Sequence, residues 1–208
     1  QFQDLTKVVL ERYGPTPVTT NLALQYAPDI SGDKIVWEDY RNGNWDIYLY
    51  DLNTKTERQI TTDSAEQRYP AIFRDRIVWT DMRNGNWDIY LYDLNTNTER
   101  QITSYPSNEY VMDIYQDKIV WMDDRNGNED VYLFDLSTNT ERRITTDLAN
   151  QREPEISGNK IVWEDLRNGR LDVYLYDLSI NSERRITTDP DTQAYPAISG
   201  NHISWTDF

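Results

Sequence analysis

The feature that most constrains the fold is a repeat of 42 residues that runs through the chain. Five tryptophans mark it, each at the end of an Ile-Val-Trp or Ile-Ser-Trp run: Trp37, Trp79, Trp121, Trp163 and Trp205. A period of about 40–45 residues is typical of propellers and solenoids, in which each repeat is one small supersecondary unit. The chain is therefore predicted to be a propeller or a solenoid.

Within one repeat, short β-rich runs alternate with turn signals, and no helical spacing occurs. In the first full repeat the pattern predicts strand A at 28–31, strand B at 34–39, strand C at 46–52 and strand D at 57–62. We expect Asn42-Gly43 to form a type I′ turn between strands B and C. Strand D ends in two threonines, which predicts an outer, half-exposed strand. Four antiparallel strands in each repeat are the plan of a propeller blade.

The two ends of the chain fit together as one more blade. Alignment at the period places residues 1–20 at strands C and D and residues 195–208 at strands A and B. Five periods would need two residues more than the 208 of the chain, and the missing pair corresponds to Arg41-Asn42 at the B–C tip. We therefore predict an all-β, five-bladed β-propeller over residues 1–208, closed by pairing the N-terminal strands C and D with the C-terminal strands A and B. The predicted blades are 27–62, 69–104, 111–146, 153–188, and 195–208 together with 1–20.

The charge balance excludes several partners. The chain has 21 Lys and Arg against 36 Asp and Glu, a net charge of −15, which would repel a phosphate backbone. No run approaches the roughly 18 apolar residues of a membrane-spanning helix. We expect a monomeric ring that neither binds nucleic acid nor inserts into a membrane.

The repeated motif resembles the TolB-like propeller repeat. Asp-x-Arg-Asn-Gly, followed by Asp-(Ile/Val)-Tyr-Leu-(Tyr/Phe)-Asp-Leu, occurs four times at constant spacing. The motif looks closest to the version found in tandem on archaeal surface-layer-type proteins. This resemblance implies a propeller fold, an interaction module, and an extracellular or cell-surface location, and it brings no catalytic residues with it.

Each marker tryptophan is followed two positions later by an aspartate, and then by an arginine, as in Asp39 and Arg41. Residues two apart on a strand share a face, so we expect each pair to form a charge-assisted hydrogen bond that fixes the hairpin. The spacing of acidic and amide residues is faintly similar to a calcium loop, but arginine occupies a position that needs an oxygen ligand. We therefore expect a structural role, and no metal ligands are assigned.

Two aligned columns of polar residues are candidates for ligand binding at a channel mouth. At the end of the D–A connection the column reads Gln25, Gln67, Glu109, Gln151 and Gln193. Four positions on, the acidic members of the column are Asp29, Asp113 and Glu155, with Ala71 and Ala197 in the other two blades. These side chains could hold a cation, a water cluster or a polar ligand, or they could simply cap the D–A turns and solvate the channel. No cofactor is expected, and a channel cation is left open.

A second candidate site is an aromatic pair. Trp45 and Trp87 open strand C, where the other blades have Gln3, Glu129 and Leu171, so this position is not predicted to be deep core. Two neighbouring blades could then present aromatic rings on which a sugar can stack, or the two rings could simply be partly exposed.

Catalysis has little support in the sequence. The one histidine, His202, aligns with lysines and arginines and is expected on a strand surface. Carboxylates at Asp29, Glu109, Asp113 and Glu155 resemble the layout of five-bladed glycosidases, but no blade carries the long insertions that form a substrate cleft.

We therefore predict a non-catalytic extracellular interaction or structural module, with a protein or glycan partner at the cell surface bound through the face formed by the D–A and B–C loops. A carbohydrate-binding module and a glycoside-active enzyme are the alternatives.

Overall fold

The computed structural model describes residues 17–208, which contain eighteen β-strands and no helix. The strands form four four-stranded sheets and one two-stranded sheet. Consecutive strands are neighbours in every sheet and pair antiparallel, as in a propeller blade. The predicted all-β class with four-stranded antiparallel blades is confirmed, and the five sheets are consistent with a five-bladed propeller. The predicted pairing of the N-terminal segment with the last two strands involves residues 1–16, which lie outside the described part.

The chain divides between Ile102 and Thr103 into two compact units, called here the first and the second unit. The first unit contains blade 1 and blade 2. Blade 1 comprises β1 (Gln25–Ser31), β2 (Lys34–Asp39), β3 (Asp46–Asp51) and β4 (Thr56–Gln59). Blade 2 comprises β5 (Gln67–Phe73), β6 (Arg76–Asp81), β7 (Asp88–Asp93) and β8 (Thr98–Gln101).

The second unit contains blades 3 and 4 and the two-stranded sheet. Blade 3 comprises β9 (Glu109–Tyr115), β10 (Lys118–Asp123), β11 (Asp130–Asp135) and β12 (Thr140–Arg143). Blade 4 comprises β13 (Gln151–Ser157), β14 (Lys160–Asp165), β15 (Asp172–Asp177) and β16 (Ser182–Arg185). The last sheet pairs β17 (Gln193–Ser199) with β18 (His202–Asp207). No membrane-spanning helix occurs among residues 17–208.

The first strand of blade 1 begins earlier than predicted because it contains a β-bulge. β1 starts at Gln25, and its pairing with β2 skips from Tyr26 to Asp29. Ala27 has a φ of 46°, in the left-handed region that costs a non-glycine residue roughly 1–2 kcal/mol. A proline follows this residue, and proline normally favours an extended conformation before it, so the sequence did not indicate the bulge. The same conformation recurs before the prolines of three other sheets, at Tyr69, Glu153 and Tyr195.

The B–C hairpin also differs from the prediction. Gly43 has a φ of 90°, whereas Asn42 does not have a positive φ, so the predicted type I′ turn is wrong. The chain instead makes a β-turn closed by Gly43 N donating to Tyr40 O (3.2 Å), inside a six-residue connection between β2 and β3. In this longer loop, the side chain of Asn42 donates hydrogen bonds to Asp46 and Tyr48 instead of standing free at a two-residue tip.

The end of strand D is more buried than predicted. β4 ends at Gln59, and Thr61 beyond it is buried rather than half-exposed. Its hydroxyl accepts a hydrogen bond from Ile47 N (2.8 Å) and lies 3.5 Å from Asp46 Oδ1. The threonine is therefore a bridge to strand C, a role that a polar residue at a strand end does not reveal in the sequence.

Four marker tryptophans lie in the core of the complete blades. Trp79, Trp121 and Trp163 are fully buried and Trp37 is nearly so. Each stacks on the tyrosine opposite it on strand C, as Trp79 does on Tyr90 at 6.0 Å between ring centroids. Trp205 is 42% exposed, on the two-stranded sheet that has no third strand among the described residues.

Next to each buried tryptophan, an aspartate joins strand B to the B–C loop. In blade 4, Asp165 accepts hydrogen bonds from Trp163 Nε1 (3.0 Å), from the main-chain nitrogen of Arg167 (2.9 Å) and from its Nη2 (2.6 Å). Arg167 also lies over the ring of Tyr174 and donates to Glu183 on strand D (2.6 Å). The expected Asp–Arg pair is confirmed in all four complete blades.

We expect Asp165→Ala to lower the free energy of unfolding by about 3–5 kcal/mol, because it leaves the charge of Arg167 and the indole N–H of Trp163 without their buried acceptor. Urea denaturation followed by tryptophan fluorescence measures this loss. The control is Glu183→Gln, which removes only the partly exposed partner of Arg167 and should cost less than about 1 kcal/mol. Equal losses for the two variants would contradict the central role of Asp165.

Candidate functional site

The B–C and D–A loops lie at the same end of the sheets in the first unit, as predicted. Gln67 N, at the start of β5, donates to Trp45 O in the B–C loop of blade 1 (2.8 Å). Asn44 Nδ2, from the same loop, donates to the main-chain oxygens of Asp63 (3.2 Å) and Ala65 (3.0 Å) in the D–A connection. The loop of one blade is thereby bound to the connection that leads into the next.

The second unit repeats this arrangement. Gln151 N donates to Glu129 O (2.7 Å), and Asn128 Nδ2 donates to Asp147 O (3.2 Å) and Ala149 O (2.9 Å). In the following repeat, arginine replaces the asparagine, and Arg170 Nη2 donates to Asp189 O (2.9 Å). This loop end therefore has a defined main-chain conformation in each unit.

The predicted amide column serves the D–A turns. Gln67, Gln151 and Gln193 are buried, and each Nε2 donates to the main-chain oxygen two residues before it, at 2.7, 2.6 and 2.7 Å. Within residues 17–208, their Oε1 atoms have no hydrogen-bond partner, nor does Nε2 of the half-buried Gln25. Glu109 is also buried and accepts a hydrogen bond from Ser107 Oγ (2.7 Å). Turn capping is thus observed for three of the glutamines, while binding of a cation or polar ligand by the column stays a prediction.

The predicted carboxylate column bonds to the next blade. Asp29 Oδ2 accepts a hydrogen bond from Ile72 N on β5 (2.7 Å). Burial raises the pKa of Asp29, although main-chain hydrogen bonds from Ile72 and Ile30 oppose the increase. In the second unit, Asp113 accepts from Ile156 N (2.8 Å) and Glu155 from Ile198 N (3.2 Å). These three carboxylates join the first strands of successive sheets, a role that spacing along the sequence did not indicate.

A cavity of about 170 Å³ lies beside Glu155 in the second unit. It is lined by Met112, Glu153, Pro154, Glu155, Tyr195, Pro196 and Ala197. Burial raises the pKa of Glu153, and repulsion from the neighbouring Glu164 adds to the increase. Glu164 is itself buried and accepts a hydrogen bond from Tyr195 N (2.6 Å). Across residues 17–208, no group of three or more acidic, histidine or cysteine residues has the geometry to hold a metal ion.

The loop end of the first unit carries a group of aromatic residues around Trp45. Its ring contacts Tyr26 and Tyr40 at tilted angles, with centroids 5.6 and 5.1 Å apart, and the guanidinium of Arg68 lies 4.9 Å from its centroid. Arg68 is also 5.3 Å from the ring of Tyr69. We call Tyr26, Tyr40, Trp45, Arg68 and Tyr69 the aromatic cluster.

The aromatic cluster is accessible, with Tyr26, Tyr40 and Tyr69 exposed to 52%, 42% and 44%. Sequence reasoning identified Trp45 but missed the tyrosines and Arg68. The available signal was the variation between blades, since the position of Tyr40 holds Met82, Asp124, Leu166 and Phe208 elsewhere. Trp87, the other predicted aromatic residue, is half-buried at the equivalent position of blade 2.

We expect Asp29→Ala to lower the free energy of unfolding by about 1–3 kcal/mol, because Ile72 N loses its acceptor. Asp29→Asn, which keeps one acceptor oxygen, should lose less. A raised folded pKa favours the wild type below the unfolded pKa, and this advantage disappears as the pH rises through the folded pKa. The stability difference between wild type and Asp29→Asn should therefore shrink from pH 4 to pH 7, as measured by urea denaturation. A difference that grows over this range would contradict the assignment.

No protein-family model and no curated protein matches the chain. Similar solved structures include TolB from Acinetobacter baumannii, at 20% identity and a TM-score of 0.68, where the match covers 97% of this chain and 56% of that one. A protein described as TolB from Agrobacterium tumefaciens is 20% identical with a TM-score of 0.72, and the match covers 93% of this chain and 73% of that one. A prolyl endopeptidase structure is 11% identical with a TM-score of 0.73, over 94% of this chain and 35% of that one.

These identities are low, so the comparisons concern the fold and not the activity. The chain spans about half the length of the Acinetobacter protein. The sequence resemblance and the solved structures agree on the architecture, and the chain has a TolB-like β-propeller fold.

Proposed function

We propose that the protein is a non-catalytic interaction module that binds a protein partner through the aromatic cluster of the first unit. The observation that carries this proposal is the cluster itself. Tyrosine, tryptophan and arginine are the residues most enriched in the energetic centres of protein interfaces. Here five of them lie together at the loop end, with three tyrosines about half exposed.

Hydrogen bonds to a buried glutamate hold the cluster in place. Arg68 Nη2 donates to Glu38 Oε1 (3.0 Å), and Glu38 is buried. The same carboxylate accepts a hydrogen bond from Tyr69 N (3.1 Å), which fixes the main chain at a residue with a φ of 53°. Side chains that are already ordered lose little conformational entropy on binding, so a preorganised surface binds more tightly than a mobile one of equal area.

The proposal includes an extracellular or cell-surface location. It is supported by the resemblance of the repeated motif to tandem repeats of archaeal surface-layer-type proteins. The net charge of −15 favours a partner whose contact surface is not strongly acidic.

Carbohydrate binding is the second candidate, because exposed tyrosines beside a tryptophan also suit the faces of sugar rings. Arg68 already lies over the ring of Trp45, so a sugar stacked there would have to displace a cation bound to a buried carboxylate. A glycoside-active site has less support. Three of its four candidate acids, Asp29, Asp113 and Glu155, each accept a main-chain hydrogen bond from the next sheet.

Site-specific photocrosslinking tests the protein-binding proposal. A photoreactive amino acid replaces Tyr40 in one version of the protein and Ile180 in a control version, and both are produced in the native host. Ile180 is exposed, lies in the turn between β15 and β16 of the second unit, and is not part of the cluster. We expect one protein to crosslink from position 40 and not from position 180. The same crosslinks from both positions, or none from either, would contradict the proposal.

The crosslinked protein is then purified and titrated by calorimetry. Tyr26→Ser/Tyr40→Ser should weaken its binding at least about tenfold, the equivalent of about 1.4 kcal/mol. Ile180→Ser should leave the affinity unchanged. A glycan array probed with the wild type and with Trp45→Ala/Trp87→Ala tests the second candidate, which predicts sugar binding that the double variant loses.

A further inference from the structure

Each complete blade has an Asn-Gly pair at its B–C tip, and all four asparagines are exposed. The pairs are Asn42-Gly43, Asn84-Gly85, Asn126-Gly127 and Asn168-Gly169. In such a pair the main-chain nitrogen of glycine can attack the side-chain carbonyl carbon of asparagine, since glycine has no Cβ to hinder the approach. A new C–N bond closes a five-membered succinimide ring, and the side-chain nitrogen leaves as ammonia. Water then opens the ring to aspartate or isoaspartate, so exposure alone would make these tips prone to deamidation.

The hydrogen bonds of the tip hold both reacting groups. In blade 1, Asn42 Nδ2 donates to Asp46 Oδ2 (2.8 Å) and to the hydroxyl of Tyr48 (3.0 Å), which fixes the side-chain amide. The attacking nitrogen, Gly43 N, donates a hydrogen bond to Tyr40 O (3.2 Å). The amide cannot rotate toward the glycine nitrogen, and that nitrogen cannot lose its proton, unless these bonds break.

The same three hydrogen bonds recur in the other complete blades. The asparagine Nδ2 to aspartate distances are 2.7, 3.1 and 2.9 Å in blades 2, 3 and 4, and the distances to the tyrosine hydroxyl are 3.0, 2.7 and 2.9 Å. The glycine nitrogen bonds measure 3.0, 3.0 and 2.9 Å. Aspartate and tyrosine stand four and six positions after the asparagine in every case. The arrangement therefore belongs to the repeat and is not an accident of one loop.

We propose that the four Asn-Gly tips are latent deamidation sites, which the folded repeat protects and which become reactive when a tip opens. The proposal also predicts the fate of a modified tip. Deamidation of Asn42 replaces the NH₂ donor with a carboxylate oxygen facing Asp46, which is 1% exposed. Two carboxylates at hydrogen-bond distance, one of them buried, cannot both stay ionised without a large energetic cost. A deamidated tip therefore does not close again at neutral pH.

The first experiment measures deamidation at each tip by peptide mass spectrometry during incubation of the full chain at mildly alkaline pH. Tyr48→Phe removes one acceptor of Asn42 Nδ2 and keeps the aromatic ring that Arg41 covers. Asn42 should then deamidate roughly fivefold faster, the rate equivalent of losing one ordinary hydrogen bond. Asn84, Asn126 and Asn168 in the same molecules are internal controls, and Tyr50→Phe on the same strand is the control variant.

The same samples incubated in urea give the unprotected rate. We expect all four tips of the native chain to react more slowly than in the unfolded chain. Equal rates in the native and unfolded chains, or an unchanged rate at Asn42 in Tyr48→Phe, would overturn the proposal.

The second experiment compares Asn42→Asp with Asn42→Ala by urea denaturation. Both variants remove the donor, and only the first adds a carboxylate beside Asp46. Asn42→Asp should be the less stable at pH 7, and the difference should diminish as the pH falls and a carboxyl group takes up a proton. Equal stability at pH 7 would refute the predicted fate of a deamidated tip.

Discussion

Each complete blade depends on the hydrogen bonds accepted by one buried aspartate, which lies two positions after the marker tryptophan. One carboxylate receives the indole N–H, the main-chain N–H of the arginine and the arginine side chain, so it joins the blade core to the B–C loop. The arginine then extends to a glutamate on strand D. A buried charge is costly without such partners, which explains why the tryptophan, aspartate and arginine recur as a set.

Neighbouring sheets are joined by a different kind of hydrogen bond. Within each unit, a side chain on one sheet accepts a main-chain N–H of the next, as Asp29 does for Ile72 and Glu164 for Tyr195. These N–H groups lie at or near the bulge in the first strand, where regular pairing is interrupted. Asp29, one of the candidate ligand residues, thus also supplies an acceptor for a main-chain N–H that regular pairing leaves without one.

The sequence predicted the blade plan and the Asp–Arg pairs because both repeat at a constant period. It did not predict the bulge, since a left-handed residue before proline runs against local preference. The aromatic cluster was only partly predictable. Trp45 and Trp87 differ visibly from the residues of the other blades at this position, but the contact of Trp45 with Arg68 involves the first strand of the next sheet. Contacts that differ between repeats carry no periodic signal, so the candidate site was harder to predict than the strands of the blades.

The left-handed residue of the bulge keeps the same main-chain conformation whatever side chain it carries. Alanine, tyrosine and glutamate occupy it in different sheets with φ values between 46° and 54°. The side chain there can change in size and charge while its attachment point stays the same. A gene that duplicates this repeat thus obtains, in four of the five sheets described here, a site at which new recognition chemistry can evolve without a new fold.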